Sequence, residues 1–161
     1  MQETSNRIVV GIDGSPDSEE ALRWALREAA TSGAEIDAVL VWSDPWALTG
    51  QSTLRSAGRD RTERLQDMLA QVVTTAVDAE HAGAVKLTQH VLAGNAAQVL
   101  AERSRGARML VVGTTGLSGL RRWMLGSVSQ RCAQLSGVPV VLVPIPPRHR
   151  DQDLAGTASA G

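Results

Sequence analysis

The chain has few of the residue types on which several kinds of function depend. Its 161 residues include four Trp but no Phe and no Tyr, one cysteine (Cys132) and one lysine (Lys86). Stacking surfaces for single-stranded nucleic acid need several aromatic side chains, so nucleic acid is not an expected partner. A single cysteine excludes an internal disulfide and a cysteine-based metal cluster. The core must therefore consist mainly of Val, Leu, Ile and Ala.

Long apolar runs are also missing, since none approaches the roughly 18 residues of a membrane-spanning helix. The N-terminus from Met1 to Arg7 is polar, and no apolar signal-peptide core follows its one basic residue. We therefore expect a cytoplasmic protein without a membrane partner. The length predicts one domain over residues 7–144, between a flexible N-terminus at residues 1–6 and a disordered tail at residues 145–161.

Charge is distributed unevenly, although the formal net charge is only −1. Residues 1–102 contain 15 acidic and 8 basic side chains, whereas residues 103–150 contain eight arginines and no acidic residue. A positive field over this second part favours an anionic ligand. A solvated, arginine-rich surface is the alternative explanation.

Strand and helix patterns alternate along the chain. Apolar, β-branched runs and stripes with a period of 3.6 residues predict five strands and four helices. The strands are predicted at residues 7–12, 36–42, 86–92, 109–113 and 138–143, with a loop at 43–58. The helices are predicted at 16–32, around 65–77, from the cap Asn95 to about residue 105, and at 128–136. The alternation predicts a single-domain, Rossmann-like α/β fold in which helices cover both faces of an open parallel sheet. Ligands of such sheets bind at the carboxyl ends of the strands.

The strongest indication of a ligand is a glycine motif in the arginine-rich part. Gly113 and Gly116 follow the predicted fourth strand, and Gly126-Ser127 comes nine residues after Gly116, before the fourth helix. Glycines between a strand and a helix expose backbone N–H groups at the helix N-terminus, where phosphate binds. The motif therefore favours a nucleotide-binding protein.

The fourth helix carries two further expectations. Ser127 with Gln130 three residues later predicts a capping box. The apolar positions of the helix predict that Val128, Cys132 and Leu135 face the core. Cys132 is accordingly interpreted as a packing residue rather than a reactive thiol.

The first helix is the less suitable phosphate site. It begins with Ser15-Pro16-Asp17, and each first-turn carboxylate would repel a phosphate by on the order of 0.3–1 kcal/mol. The fourth helix has no carboxylate near its start, and Arg121 and Arg122 precede it as candidate phosphate contacts. A solvated pair in a loop is the alternative for these two arginines.

Asp13, at the end of the first predicted strand, has two interpretations. Its carboxylate can accept hydrogen bonds from ribose hydroxyls, or hold a Mg²⁺ ion that phosphates also bind. Alternatively, Asp13-Gly14 is an ordinary turn pair.

Several common nucleotide and catalytic motifs are absent from the sequence. It contains no Walker A motif, no G-x-G-x-x-G dinucleotide fingerprint and no G-x-S-x-G nucleophile elbow. The three histidines, His81, His90 and His149, do not have the spacing of metal ligands. No catalytic residue is assigned, and the metal ligands stay open.

The glycine motif and two flanking segments resemble the universal stress protein family, in particular its ATP-binding branch. The family signature G-2x-G-9x-G-[ST] matches Gly113, Gly116 and Gly126-Ser127 without a gap. The segments Val-Gly-Ile-Asp-Gly-Ser at residues 10–15 and Gly-Val-Pro-Val-Val-Leu-Val-Pro at residues 137–144 are also similar to the family. The resemblance extends over nearly the whole predicted domain.

This resemblance implies a strand order, a cofactor and a set of binding residues. The sheet would have the order 3-2-1-4-5, and ATP, accompanied by Mg²⁺, would bind between the first and fourth strands. Asp13 would contact the ribose, Val41 the adenine, and Gly126 with its two neighbours the outer phosphates. The full set of implied cofactor-binding residues is Gly11, Asp13, Val41, Gly113, Thr114, Gly116, Gly119, Arg122, Gly126, Ser127 and Val128.

Two further points follow from the resemblance. The family often dimerises through its last strand, which here runs from Val138 to Val143, and an exposed β-branched edge suits such pairing. This chain has Thr114-Thr115 where some members carry His or Arg, so the side-chain contacts of that loop stay open.

Three functions remain open at this point. The first is an ATP-binding stress-response sensor that signals to a protein partner through its conformation or dimer state. The second is a slow ATP hydrolase or phosphotransferase, for which no base is found near Ser127 and Asp13 is the only nearby carboxylate. The third is a structural dimer that binds no nucleotide, against which the intact glycines argue. The sensor is the favoured prediction.

Overall fold

The computed structural model describes residues 5–43, 55–115 and 125–145, without side chains for residues 55–58. Five strands and four helices alternate within these residues. In chain order they are β1 (Arg7–Ile12), α1 (Pro16–Ser32), β2 (Glu35–Trp42), α2 (Arg55–Ala79), β3 (Leu87–Ala93), α3 (Ala96–Arg103), β4 (Met109–Gly113), α4 (Ser127–Leu135) and β5 (Val140–Val143).

The five strands form one parallel sheet in the order β3-β2-β1-β4-β5. The chain moves outward from β1 to β3, returns to the other side of β1 as β4, and continues to β5 at the edge. The strand order therefore reverses between β1 and β4, the position at which ligands bind in folds of this kind. The α/β fold predicted from periodicity and the strand order implied by the resemblance are both confirmed.

Helices cover both faces of the sheet, and each face has its own apolar core. Leu22 of α1 and Leu69 of α2 are buried against one face. Leu100 of α3 and Cys132 of α4 are buried against the other. Successive residues of β1 alternate between the two cores, as side chains along a strand do.

Local capping signals place the ends of two helices where the sequence predicts them. The Ser15 hydroxyl accepts a hydrogen bond from the Ser18 N–H at 3.2 Å, and Pro16 occupies the first turn of α1. Gly33 ends α1 in the left-handed conformation, with φ of 66°, which a glycine adopts without a steric penalty. Asn95 caps α3 in the same way as Ser15 caps α1.

The start of α4 differs from the prediction. Gly126 is the N-cap, no side chain caps the helix, and Ser127 is the first helical residue. The capping box of Ser127 with Gln130 is therefore wrong. The Gly126 N–H donates to the Thr114 carbonyl oxygen at 2.6 Å, so a contact with the end of β4 determines where the helix begins.

The buried face of α4 also differs from the apolar stripe. Cys132 is fully buried as expected, but Val128 and Leu135 are 41% and 44% exposed. Ser129 takes the buried position one turn before Cys132 and donates its hydroxyl to the Gly113 carbonyl oxygen at 2.7 Å. A polar side chain is accommodated there because the end of β4 supplies its hydrogen-bond partner.

Two predicted boundaries shift by a few residues. The loop predicted at residues 43–58 overlaps α2, which begins at Arg55, and the remainder of that loop lies outside the described residues. β5 begins at Val140 rather than Val138, since Pro139 has no N–H to donate to the sheet. The predicted flexible N-terminus and disordered tail lie almost entirely outside the described residues and stay predictions.

A polar cluster holds the C-terminal end of α3 against the sheet. Asp37 of β2, only 9% exposed, accepts hydrogen bonds from Arg7 at 2.6 Å and from Arg103 at 3.4 Å. Arg103 also lies 2.8 Å from Nε2 of His90 on β3. The end of α3 is thereby fixed to three neighbouring strands, while its N-terminal end reaches the carboxyl edge of the sheet.

Candidate functional site

A cleft opens at the carboxyl ends of β1, β2 and β4, beside the reversal in strand order. Most of the lining is apolar. The lining residues are Gly11, Ile12, Asp13, Ser15, Ser18, Val39, Val41, Ala96, Leu100, Val112, Gly113, Val128 and Ser129.

The cleft brings together five of the residues that the sequence assigns to cofactor binding. These are Gly11, Asp13, Val41, Gly113 and Val128. Thr114 adjoins this set directly, and Gly126 with Ser127 adjoins it at the start of α4. Gly116, Gly119 and Arg122, together with Arg121, lie outside the described residues.

Gly11 lets a side chain of α3 approach the end of β1. A Cβ atom at this position would lie 2.9 Å from Cδ1 of Leu100 and 3.1 Å from Cγ1 of Val112. Both distances are shorter than ordinary contacts between carbon atoms, so a larger residue would displace the wall of the cleft.

The geometry shows the turn predicted at Asp13, and the contact of its carboxylate with a ribose or Mg²⁺ stays a prediction. One carboxylate oxygen, Oδ1, accepts a hydrogen bond from the Ser15 N–H at 2.9 Å, as in an Asx turn. The Asp13 N–H donates to the Ser18 hydroxyl at 3.3 Å, which fixes the turn further. Asp13 also lines the cleft and is only half-buried, so its carboxylate is available to a ligand while it holds the turn.

The N-terminus of α4 borders the cleft and has the features of an anion site. Its N-cap Gly126 has no side chain to cap the first N–H groups, and its first turn contains no acidic residue. The first N–H groups of a helix need partners from outside, and the helix dipole favours a negative one. In α1, by contrast, Ser15 caps the helix and Asp17 and Glu19 lie in the first turn.

The closeness of α1 to β4 explains Gly113 independently of any ligand. A Cβ atom on Gly113 would lie 2.7 Å from both the backbone carbonyl carbon and Cβ of Asp17. Real Cβ atoms essentially never come so close to a backbone atom, so only glycine permits this approach. Gly113 therefore has a structural role in addition to its place in the cleft.

Asp17 is a residue of the site that the sequence analysis treated only as a helix-dipole partner. It is 3% exposed, and its Oδ2 accepts three hydrogen bonds from the loop after β4. The donors are the Thr114 hydroxyl at 2.7 Å, the Thr115 N–H at 2.9 Å and the Thr115 hydroxyl at 2.6 Å. These partners are 97 and 98 positions away in the chain, so no local pattern could have revealed them.

The α3 wall of the cleft was also missed. Ala96 and Leu100 line the cleft from the first turns of α3. The sequence predicted the cap at Asn95 but contained no sign that this helix faces the ligand side. The strand order implied by the resemblance was the signal that could have placed it there, because α3 connects β3 to β4 and starts at the carboxyl edge of the sheet.

The described residues contain no cluster of three or more potential metal ligands from His, Cys, Asp and Glu. Burial raises the pKa of the Cys132 thiol to about 11, so the group is protonated at neutral pH and a poor nucleophile. Among the described residues, none of the helices is both long enough and apolar enough to span a membrane.

Sequence comparison relates the chain to proteins of known family. A sequence model of the universal stress protein family matches residues 4–144. Universal stress protein Rv2005c of Mycobacterium tuberculosis is 35% identical over 136 residues, which are 84% of this chain and 44% of that relative. The chain spans about half the length of the curated relatives it matches.

Solved structures share the fold. Protein MJ0577 superposes with a TM-score of 0.74 at 18% identity, covering 89% of this chain and 98% of its own. A universal stress protein solved in complex with cAMP superposes with a TM-score of 0.65 at 26% identity, covering 88% of this chain and 98% of its own. Since the family match includes every strand and helix described above, the chain belongs to the universal stress protein family.

Proposed function

We propose that this protein is a sensor that binds ATP with Mg²⁺ in the cleft between β1 and β4, and that a protein partner recognises the ATP-bound conformation or dimer state. The observation that carries the proposal is the uncapped N-terminus of α4 beside the cleft, with no acidic residue in its first turn. A phosphate accepts hydrogen bonds from such N–H groups and is attracted by the helix dipole.

The nucleoside half would occupy the apolar part of the cleft. Val41 and Val39 of β2 and Leu100 of α3 provide surfaces for the adenine ring. Asp13 lies at the end of the central strand, where its carboxylate would accept hydrogen bonds from ribose hydroxyls. A mainly apolar pocket with a few polar groups is the usual form of a cofactor site.

The phosphate half would extend along the glycine motif. Gly126, Ser127 and Val128 would hold the outer phosphates, with Gly113, Thr114, Gly116 and Gly119 along the path and Arg122 as a cationic contact. Mg²⁺ would be held mainly by the phosphates, because this ion retains several waters and needs few protein ligands. Asp13 is the carboxylate that lines the cleft.

Adenine nucleotides are the ligand class that the comparisons favour. The universal stress protein of 26% identity was solved with cAMP, and its fold covers most of this chain. Its ligand carries one phosphate, so the preference for a triphosphate rests here on the length of the glycine motif and on the arginines around it.

A sensor is favoured over an enzyme by the side chains near α4. Hydrolysis needs a group that orients water, together with charge stabilisation. Ser129 donates its hydroxyl to Gly113, and Asp17 accepts from Thr114 and Thr115, so both are engaged in the structure. A slow ATP hydrolase or phosphotransferase remains the second candidate, and a dimer without nucleotide the third.

The dimer proposed for signalling would form through the edge strand. β5 pairs with β4 on one side and ends the sheet. Leu142 of this strand is 37% exposed, which leaves apolar surface for a second copy. Light scattering with and without ATP tests this proposal, since a nucleotide-dependent change of mass is expected from a dimer that signals.

Thermal unfolding of nucleotide-free protein tests the binding proposal. A ligand that binds only the folded state adds about 2.7 kcal/mol to the free energy of unfolding at a hundredfold excess over Kd. We expect a saturable rise in Tm with ATP and Mg²⁺ that exceeds the rise with AMP. No rise at millimolar ATP would reject nucleotide binding, and phosphate release in the same samples would favour the hydrolase.

A further inference from the structure

Asp17 has a place in the fold that the proposed ligand contacts do not use. It lies in the first turn of α1, against the loop that follows β4, and is buried with three donors on one carboxylate oxygen. Burying a carboxylate is unfavourable unless hydrogen bonds or charges compensate it. Here the compensation comes from Thr114 and Thr115 and from the positive end of the α1 dipole.

These hydrogen bonds fix Thr114 and Thr115, the two residues between Gly113 and Gly116 of the glycine motif. Thr114 and Thr115 come directly before residues 116–124, and the Thr114 carbonyl accepts from Gly126 directly after them. One residue, Thr114, is thus held by α1 through its side chain and by the start of α4 through its carbonyl. The loop after β4 and the start of α4 are therefore joined at Thr114.

We propose that Asp17 is a positioning residue for the phosphate half of the site: it holds Thr114 and Thr115, and through the Thr114 carbonyl the start of α4, in the arrangement that receives the phosphates, without touching the nucleotide. This inference rests on the proposed function, and it adds a determinant of affinity that lies on a helix outside the glycine motif. When only a fraction of the molecules has the binding conformation, the apparent affinity for the ligand is reduced by that fraction. Asp17 keeps the population of the binding conformation high.

The hydroxyls of both threonines donate to Asp17. Neither these hydroxyls nor the Thr115 N–H donates to a phosphate while this arrangement persists, and the uncapped N–H groups in the first turn of α4 are the donors that Asp17 helps to position. The dependence on Asp17 should accordingly appear for nucleotides and be small for a nucleoside, which lacks phosphates. This difference separates positioning of the phosphate half of the site from a general loss of structure.

The experiment compares Asp17→Asn with the wild-type chain in titrations with ATP and with adenosine, by calorimetry at 25 °C. Asparagine keeps the size of the side chain but accepts the three hydrogen bonds less well than a carboxylate. We expect ATP affinity to fall on the order of tenfold, as it does when the competent fraction falls to about a tenth. Adenosine affinity should change by less than about twofold, because adenosine has no phosphate that would contact the start of α4.

Glu19→Gln is the matched control. It removes one negative charge from the same turn of α1, and Glu19 lines a separate depression between α1 and α2 instead of the cleft. Its ATP affinity should equal that of wild type. If Asp17→Asn instead binds ATP as tightly as wild type, the Asp17 carboxylate has no effect on binding, and if it binds ATP more tightly, the carboxylate repels the phosphates. Either result rejects the proposal. Equal weakening of ATP and adenosine would likewise reject it.

Amide hydrogen exchange of the ligand-free proteins provides a readout that needs no nucleotide. The N–H groups of Thr115 and Gly126 should exchange faster in Asp17→Asn, while amides of β1 keep their protection. A wild-type chain that binds neither ATP nor adenosine would reject the proposed function, and with it the role of Asp17 in binding. Unchanged exchange at Thr115 and Gly126 would reject the anchoring itself.

Discussion

The backbone N–H of Gly126 donates to the carbonyl oxygen of Thr114 at 2.6 Å, joining the N-cap of α4 to the loop after β4. A Cβ atom on Gly126 would lie 3.2 Å from the carbonyl oxygens of both Thr114 and Thr115. These neighbours are backbone atoms and cannot rotate away as the end of a side chain can. The position therefore tolerates little beyond glycine.

Gly126→Val is expected to abolish ATP binding while the chain still folds. The added methyl groups would separate the start of α4 from the loop after β4 and fill the space assigned to the outer phosphates. Strain of this kind lowers the free energy of unfolding by about 1–3 kcal/mol. Calorimetric titration gives the affinity, and circular dichroism gives the fold. Unchanged ATP affinity in a folded variant would contradict the assignment of the phosphates to this helix.

Arg122→Ala is expected to weaken ATP more than AMP. Arg122 belongs to the predicted binding set and lies outside the described residues, in the segment between Gly116 and Gly126. If the Arg122 guanidinium contacts the outer phosphates, its removal weakens only ligands that have outer phosphates. Hydrogen bonds to charged groups contribute about 1.5–3 kcal/mol. The ratio of the two Kd values measures the effect. An equal loss for both ligands would remove Arg122 from the outer phosphates.

Gly113→Ala is expected to destabilise the protein even without nucleotide. Its Cβ would meet the backbone of Asp17 at 2.7 Å, and α1 would have to shift away from β4 at a cost of about 1–3 kcal/mol in the free energy of unfolding. Gly137→Ala is the control, because a Cβ on Gly137 would meet no atom within 4 Å. Urea unfolding of both variants tests the difference. Equal free energies of unfolding for the two variants would show that α1 can move away from β4 at little cost, which contradicts the prediction.

The contribution of Cys132 to the free energy of unfolding should decrease as the pH rises into the alkaline range. Burial raises the pKa of this thiol from 9.0 to about 11, so the folded state keeps its proton where the unfolded state loses it. The stability from this group is complete below pH 9 and falls as the pH rises towards 11. Between pH 8 and 10.5 the free energy of unfolding of wild type should fall by about 2 kcal/mol more than that of Cys132→Ala. Parallel pH profiles of the two proteins would contradict the raised pKa.

The parts of the fold that local chemistry determines were predictable from the sequence. The caps Ser15, Pro16 and Gly33 act within one turn of the chain, and the structure confirms them. The alternation of strands and helices indicated a parallel sheet with helices on both faces. The strand order itself came from the resemblance to the family, because periodicity carries no information on which strands are neighbours.

The parts that depend on distant contacts were not predictable. Ser127 has the pattern of a capping residue, but the hydrogen bond from Gly126 to Thr114 starts the helix one residue earlier. Val128 follows the apolar stripe and yet lines the open cleft, while Ser129 is buried because the Gly113 carbonyl at the end of β4 accepts its hydrogen bond. The carboxylate of Asp17 was interpreted through its own helix, whereas its partners come from the end of β4.

The burial of Cys132 makes this chain convenient for spectroscopy. It is the only cysteine of the 161 residues, it is fully buried, and its thiol stays protonated at the pH of ordinary labelling. A maleimide dye would therefore react with a cysteine introduced at an exposed position and leave Cys132 unlabelled. Dyes placed on Leu125, beside the start of α4, and on the exposed Ala30 of α1 could follow the distance between these two helices as nucleotide is added.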